Sequence, residues 1–146
     1  MNLHCKIIIF AIKLYLISNY VLSIERIDIT IYNKNKHIKF NAELANTLEK
    51  RSKGLMYKKN LPNNEAMLFV FPFEDIIQLW MKNTYIPLDV IFISKDKYIV
   101  DLNYNMKKLS ETLIKSKVKS KYALEFNAGL IKKLGIKIGN KVFFNE

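Results

Sequence analysis

Hydrophobic and polar residues alternate along much of the chain, and this period of two is the feature that most constrains the fold. The segment ERIDITIY places Ile27, Ile29 and Ile31 at every second position, which is typical of a strand with one buried face. KHIKFNAEL repeats the alternation, and the intervening NKNK predicts a turn. An amphipathic helix would instead need apolar residues three or four positions apart. This part of the chain therefore predicts a β-hairpin.

Similar patterns predict further strands and two short helices. The strands are expected at 66–71, 76–82, 89–94, 98–104 and 121–127, with a last strand or hairpin in KIGNKVFF. In NTLEKRSKG, Asn46 followed by Glu49 predicts a capping box, and Gly54 ends a two-turn helix. The second helix is expected in AGLIKKLG, closed by Gly135. The sequence thus predicts a mainly β, β-rich α+β fold, a compact single-domain β-barrel or sandwich with two short helices.

The composition favours one folded domain whose surface is rich in lysine. A chain of 146 residues that is 50% hydrophobic has the size and composition of a single domain with a substantial core. Its formal net charge of +11 favours contact with anions. However, lysine supplies 22 of the 24 basic residues, whereas a nucleic-acid surface should use more arginine. We therefore expect no nucleic-acid partner, and we expect the basic segment 105–121 to be an exposed, irregular excursion.

The first 23 residues have the layout of an export signal. A short start that carries Lys6 precedes an apolar stretch, and the small residue Ser23 allows cleavage after it. The sequence thus predicts a signal peptide at 1–23, a single domain at 24–146, and a periplasmic or secreted protein. The alternative is a membrane anchor at 7–23, although polar residues interrupt this segment. In either case we expect membrane contact only through the N-terminal segment.

Charged residues within the apolar strand segments indicate where a site should lie. Asp89 shares a predicted strand face with isoleucines, so its carboxylate needs a cation or hydrogen-bond donors. Lys82 is the nearest cation in sequence. Glu125 lies on the less apolar face of its strand, and Arg51 in the first helix could hold a carboxylate with two parallel bonds. These residues either form structural pairs or converge on one pocket.

Three sequence blocks resemble the signature blocks of the domain of unknown function 192 family. They are RSKGLMYKKNLPNNEAMLFVF, WMKNTYIPLDVIFI and YALEFNAG, and their order and spacing match over about residues 45–145. The resemblance implies a small, mainly β protein, often one that carries an export signal. It also concentrates polar residues at six positions, which are Arg51, Lys82, Asn83, Thr84, Asp89 and Glu125. The resemblance implies no particular reaction.

The favoured hypothesis is that these six residues bind a small polar or anionic ligand, such as a sugar or an anionic metabolite. One alternative is a hydrolase-type enzyme in which Asp89 and Glu125 act as acid and base. The other is a structural or partner-docking protein in which the same residues form buried pairs. The sequence does not decide whether the protein is an enzyme.

Metal and cofactor sites are not expected. Cleavage of the signal would remove the only cysteine and leave His37 as the single histidine, whereas zinc sites need clustered Cys or His ligands. Methionines in apolar runs are better explained as core residues than as copper ligands. The sequence contains no glycine-rich phosphate loop. We therefore predict no metal and no cofactor.

Overall fold

The computed structural model describes residues 24–34 and 36–145, so the predicted signal or anchor segment lies outside the described residues. The described residues form nine strands and two helices. Their bounds are β1 Arg26–Asn33, β2 Lys36–Ala45, α1 Leu48–Lys53, β3 Glu65–Asp75, β4 Gln78–Leu79, β5 Leu88–Ile93, β6 Ile99–Met106, β7 Ile114–Lys115, β8 Ser120–Asn127, α2 Leu130–Leu134 and β9 Lys141–Phe143.

Seven strands form one curled sheet in the order β6-β5-β8-β3-β2-β1-β9, which gives a half-barrel. Strands β1 and β2 form the predicted antiparallel hairpin. Strands β2 and β3 are parallel, and the connection between them contains α1. At one end the two edges of the sheet approach each other, where Tyr98 bridges to Lys141. The prediction of a mainly β fold with two short helices is confirmed.

The sheet separates two hydrophobic clusters because successive side chains of a strand point to opposite faces. On the first face, residues such as Phe40, Leu124 and Phe126 pack with apolar residues of α2. On the second face, residues such as Phe69 and Phe92 pack beneath apolar residues from segments 55–61 and 77–86. All six residues of β5 are buried, so both of its faces are covered. A polar side chain on this sheet therefore lies in one of two separate environments, depending on the face to which it points.

The first helix begins one residue later than the capping box predicts. Thr47 is the N-cap, with an extended backbone, and its hydroxyl accepts a hydrogen bond from the backbone N–H of Lys50 at 3.2 Å. Asn46 instead accepts a bond from the Lys50 ammonium at 3.5 Å, so the prediction of Asn46 as the cap is wrong. Gly54 ends the helix with a φ of 49°. Gly135 closes α2 with a left-handed backbone, as predicted.

The basic segment 105–121 is more ordered than an irregular excursion. Its strand β7 pairs with β4 in a two-stranded antiparallel sheet, which we call the ribbon. The buried side chain of Ser116 accepts a hydrogen bond from the backbone N–H of Ile77 at 3.0 Å, and this bond joins the two segments next to the paired residues. The predicted strand at 76–82 is accordingly reduced to a short strand. Neither helix in the described residues has the length or apolar character needed to cross a bilayer.

Candidate functional site

A cavity of about 260 Å³ lies on the second face of the sheet, beside α1. Helix α1 and the residues after it line one part of the cavity, and strands β3, β4 and β8 and the segment after β4 contribute the rest. Its apolar lining includes Leu55, Phe69, Phe71, Leu79 and Trp80. Its polar lining includes Arg51, Lys53, Gln78, Thr84 and Glu125. The cavity thus combines aromatic walls with a small number of polar groups.

Glu125 is the lining residue from the interior strand β8. It lies between Met67 of β3 and Val90 of β5 in the sheet register, and only 4% of its surface is exposed. Among the described residues, no side chain or backbone group makes a hydrogen bond or ion pair with its carboxyl group. Burial raises the pKa of Glu125 from its ordinary value of 4.5 to about 8, because the apolar surroundings disfavour the charged form. At neutral pH the side chain is therefore mostly an uncharged acid.

Arg51 reaches the cavity from the last turn of α1. Its Nη1 donates hydrogen bonds to the backbone oxygens of Asn46 at 2.9 Å and Val70 at 2.8 Å. The guanidinium also lies 5.3 Å from the centre of the Phe71 ring, a cation–π contact that helps to orient it. Its Nε and Nη2 donate no hydrogen bond to any described residue. No carboxylate in the described part of the chain pairs with Arg51, so the predicted Arg51–Glu125 structural pair is not formed.

Thr84 also lines the cavity, whereas its neighbour Asn83 does not. The Thr84 side chain is buried, and its hydroxyl donates to the backbone oxygen of Lys82 at 3.2 Å. Asn83 has a φ of 52°, and its amide nitrogen donates to the hydroxyl of Tyr57 at 2.9 Å. Its backbone oxygen accepts from the N–H of the same tyrosine at 2.8 Å. Asn83 thus joins two loops outside the cavity.

Lys82 lies outside the cavity lining as well. Its Nζ is 3.8 Å from a carboxylate oxygen of Glu111 and 5.1 Å from the centre of the Trp80 ring. Both members of the Lys82–Glu111 pair are substantially exposed, so solvent screens the pair. Lys82 therefore contacts Trp80, a residue of the cavity lining, but does not line the cavity itself.

Asp89 lies on the opposite face of the sheet from Glu125. It is fully buried, and its two carboxylate oxygens accept bonds from the backbone N–H groups of Asn105 at 2.8 Å and Ile131 at 2.9 Å. These bonds join β5 to the end of β6 and to the start of α2. In the sheet register Asp89 is opposite Phe126, which packs on the first face. The sheet thus lies between the two carboxyl groups of the predicted acid–base pair.

The structure therefore brings together three of the six predicted site residues. Arg51, Thr84 and Glu125 line one cavity, whereas the other three residues make contacts elsewhere. Sequence reasoning missed the aromatic lining. Phe71 continues the alternation of β3, and Trp80 directly precedes the MKNT block, but neither signal distinguishes a cavity wall from an ordinary core position. Within the described residues, no group of three or more His, Cys, Asp or Glu side chains could hold a metal ion.

The family assignment rests on most of the chain. A family model for DUF192, the domain of unknown function 192, described as "Uncharacterized ACR", matches residues 29–144. The chain belongs to the domain of unknown function 192 family. This agrees with the resemblance seen in the three sequence blocks, and it extends the matched region towards the first strand.

Two archaeal proteins resemble this chain in sequence, and two solved structures resemble it in both sequence and fold. A UPF0127 protein of Pyrococcus furiosus is 28% identical over 121 residues, covering 77% of this chain and 94% of the relative. One of Pyrococcus abyssi is 28% identical over 116 residues with the same coverage. A Novosphingobium aromaticivorans protein of unknown function superposes with a TM-score of 0.81 at 34% identity, covering 86% of this chain and 89% of its own. A Sinorhizobium meliloti protein, described as a candidate transcription regulator, superposes with a TM-score of 0.81 at 33% identity, covering 84% and 95%.

Proposed function

We propose that this protein binds a small organic carboxylate in the cavity lined by Arg51, Thr84 and Glu125. The observation that carries the proposal is the environment of Glu125, whose side chain is almost fully buried, lines the cavity and makes no hydrogen bond to a described residue. Its carboxyl oxygens are not sealed from the cavity, since among the described residues no buried side-chain oxygen lacks a partner. A ligand in the cavity could therefore reach them and supply a hydrogen bond that the protein does not make.

The charge of the cavity favours an anion. Arg51 and Lys53 both line it, and Glu125 is mostly uncharged at neutral pH because burial raises its pKa to about 8. At neutral pH the charged side chains of the lining therefore carry a net positive charge. Since Nη1 of Arg51 is already bonded to two backbone oxygens, the edge formed by Nε and Nη2 is the part available to a ligand. That edge matches the two oxygens of a carboxylate, with which guanidinium groups form parallel hydrogen bonds.

The remaining lining favours a small ligand with an apolar body. Phe69, Phe71 and Trp80 provide aromatic surface, and a cavity of about 260 Å³ is smaller than those that hold drug-sized molecules. The protonated carboxyl group of Glu125 can donate one hydrogen bond to a carbonyl or hydroxyl group of the ligand. The supported function is binding, since Glu125 has no second carboxyl group beside it in the cavity lining.

Thermal denaturation with matched ligands tests this proposal. The probes are small aromatic and aliphatic carboxylates, the primary amide of each, inorganic phosphate and neutral sugars. A ligand that binds only the folded state raises the melting temperature, by about 2.7 kcal/mol of stabilisation at a hundred times its Kd. We expect a rise with carboxylates and little or none with their amides. A chain that responds to none of these classes would contradict the proposal.

Two variants connect the response to the cavity. Arg51→Lys keeps the charge but loses the planar fork, and Glu125→Met keeps roughly the size of the side chain but has no hydrogen-bond donor. Because Arg51 also holds two backbone oxygens, the quantity to compare is the shift caused by the ligand and not the melting temperature itself. Both variants should reduce that shift at a fixed carboxylate concentration. Lys132→Gln is the matched control, since Lys132 is an exposed residue of α2 on the other face of the sheet, and it should keep the full shift.

A further inference from the structure

The ribbon formed by β4 and β7 has an outward face that mixes apolar and basic side chains. The register pairs Gln78 with Lys115 and Leu79 with Ile114. Burial alternates along both segments, so every second residue from 76 to 80 and from 113 to 117 is exposed. We call this set the ribbon face; its residues are Ile76, Gln78, Trp80, Leu113, Lys115 and Lys117.

Three large apolar side chains on the ribbon face are open to solvent. The exposed fraction is 38% for Ile76, 43% for Trp80 and 50% for Leu113. Continuing the register by one pair places Trp80 beside Leu113, so at least two of these side chains are neighbours. Scattered exposed apolar residues are common, but the register brings Trp80 and Leu113 together, and Ile76 lies on the same face beyond the Gln78–Lys115 pair. We call these three residues the apolar patch.

The charges around the patch are predominantly positive. Segment 107–121 contains six lysines and a single acidic residue, Glu111. Lys82 lies against the Trp80 ring and is also paired with Glu111. Lys117 is 3.9 Å from a carboxylate oxygen of Asp101, but 85% of its side chain is exposed, so solvent screens this contact. Glu74 and Asp75 precede the ribbon on the β4 side. The apolar patch is thus bordered mainly by cations.

We infer that the ribbon face docks on an anionic lipid bilayer, a function distinct from ligand binding although Gln78 and Trp80 also line the cavity. Tryptophan and leucine partition into the interfacial region of a bilayer, where an aromatic ring meets both the headgroups and the acyl chains. Lysines at the same level attract acidic headgroups, and each contributes about a five-fold gain in affinity near an anionic surface. The ribbon face presents both kinds of side chain in one plane.

The single tryptophan of the chain makes the test local, because Trp80 itself belongs to the ribbon face. The full chain is mixed with vesicles of phosphatidylcholine alone or with added phosphatidylglycerol, and emission from Trp80 is recorded. With the anionic vesicles we expect a blue shift, and quenching when the lipids carry bromine on their acyl chains. Bromine quenches only at short range, so attachment through any other part of the chain would leave Trp80 unquenched and would overturn the inference.

Matched lysine variants separate local from overall charge. Lys115→Gln combined with Lys117→Gln should raise the vesicle concentration that gives half of the Trp80 signal change by about 25-fold, the product of two five-fold terms. Lys36→Gln combined with Lys39→Gln removes the same charge from exposed positions of β2. This pair should change the required vesicle concentration little. Equal effects of the two pairs would overturn the inference. So would equal quenching by uncharged vesicles, or tighter binding to a single-stranded oligonucleotide than to anionic vesicles.

Discussion

The protonation state of Glu125 gives a quantitative prediction for stability. In the folded protein, burial raises the pKa of this carboxyl group from 4.5 to about 8. Between these values the folded state keeps a proton that the unfolded state has released. Glu125 therefore makes its full contribution to the free energy of unfolding below pH 4.5. As the pH rises from there towards 8, this contribution falls by about 1.4 kcal/mol for each pH unit. From pH 5.5 to 7.5 the expected loss is about 2.7 kcal/mol.

Urea denaturation of the wild type and of Glu125→Gln at matched pH values measures this term. Glutamine has nearly the same shape and does not titrate, so the difference between the two unfolding free energies isolates Glu125 from all other titrating groups. The wild type should lose stability relative to the variant by about 2.7 kcal/mol between pH 5.5 and 7.5. A difference that stays constant would refute the reasoning, because it would mean an ordinary pKa. A charged carboxylate stabilised by a partner would also leave the difference constant in this range and would change it only at pH values near or below 4.5.

Three further substitutions test the local structure. Asp89→Asn should lower the free energy of unfolding by about 1–3 kcal/mol in urea denaturation, because the amide leaves one of the two backbone N–H groups that Asp89 binds without an acceptor. An unchanged stability would contradict its structural role. Thr47→Ala should lower the free energy of unfolding by about 1 kcal/mol because it removes the N-cap of α1, and Asn46→Ala should lower it clearly less. A larger loss with Asn46→Ala would instead indicate that Asn46 is the cap. Gly54 and Gly139 both have a positive φ, so either substitution by alanine strains the backbone. Gly54→Ala also places a Cβ 3.3 Å from an aromatic carbon of the cavity wall, so it should lower the melting temperature more than Gly139→Ala, where nothing lies within 4 Å of the added carbon. Equal effects of the two glycine substitutions would exclude the contact as the cause.

The sheet could be predicted because its signal is local. In β1 the isoleucines at every second position indicate both the strand and its buried face, and in β8 the alternation correctly places Glu125 away from Leu124 and Phe126. The ribbon could not be predicted in the same way. Its paired strands are only two residues long, and its pairing joins segments that are more than thirty residues apart in sequence. Such long-range contacts leave no periodic pattern.

The site was harder to predict than the fold because charge alone does not indicate which face of a sheet a residue occupies. Lys82 and Asp89 are close in sequence, which favoured a pair, yet Asp89 satisfies its carboxylate with two backbone N–H groups. Backbone donors of this kind are independent of side-chain type and cannot be identified from sequence. Arg51 shows the converse, since its expected carboxylate partner is replaced by two backbone oxygens. The alternation of β8 did identify the face on which Glu125 lies, but not the cavity beside it.

The most direct test of the central claim is a crystal structure of the protein with the carboxylate that gives the largest thermal shift. We predict electron density for the ligand in the cavity on the second face of the sheet. Its carboxylate should lie within hydrogen-bond distance of Nε and Nη2 of Arg51, and a polar atom at its other end should lie beside Glu125. Ligand density elsewhere on the chain, with the cavity holding only solvent, would contradict the account.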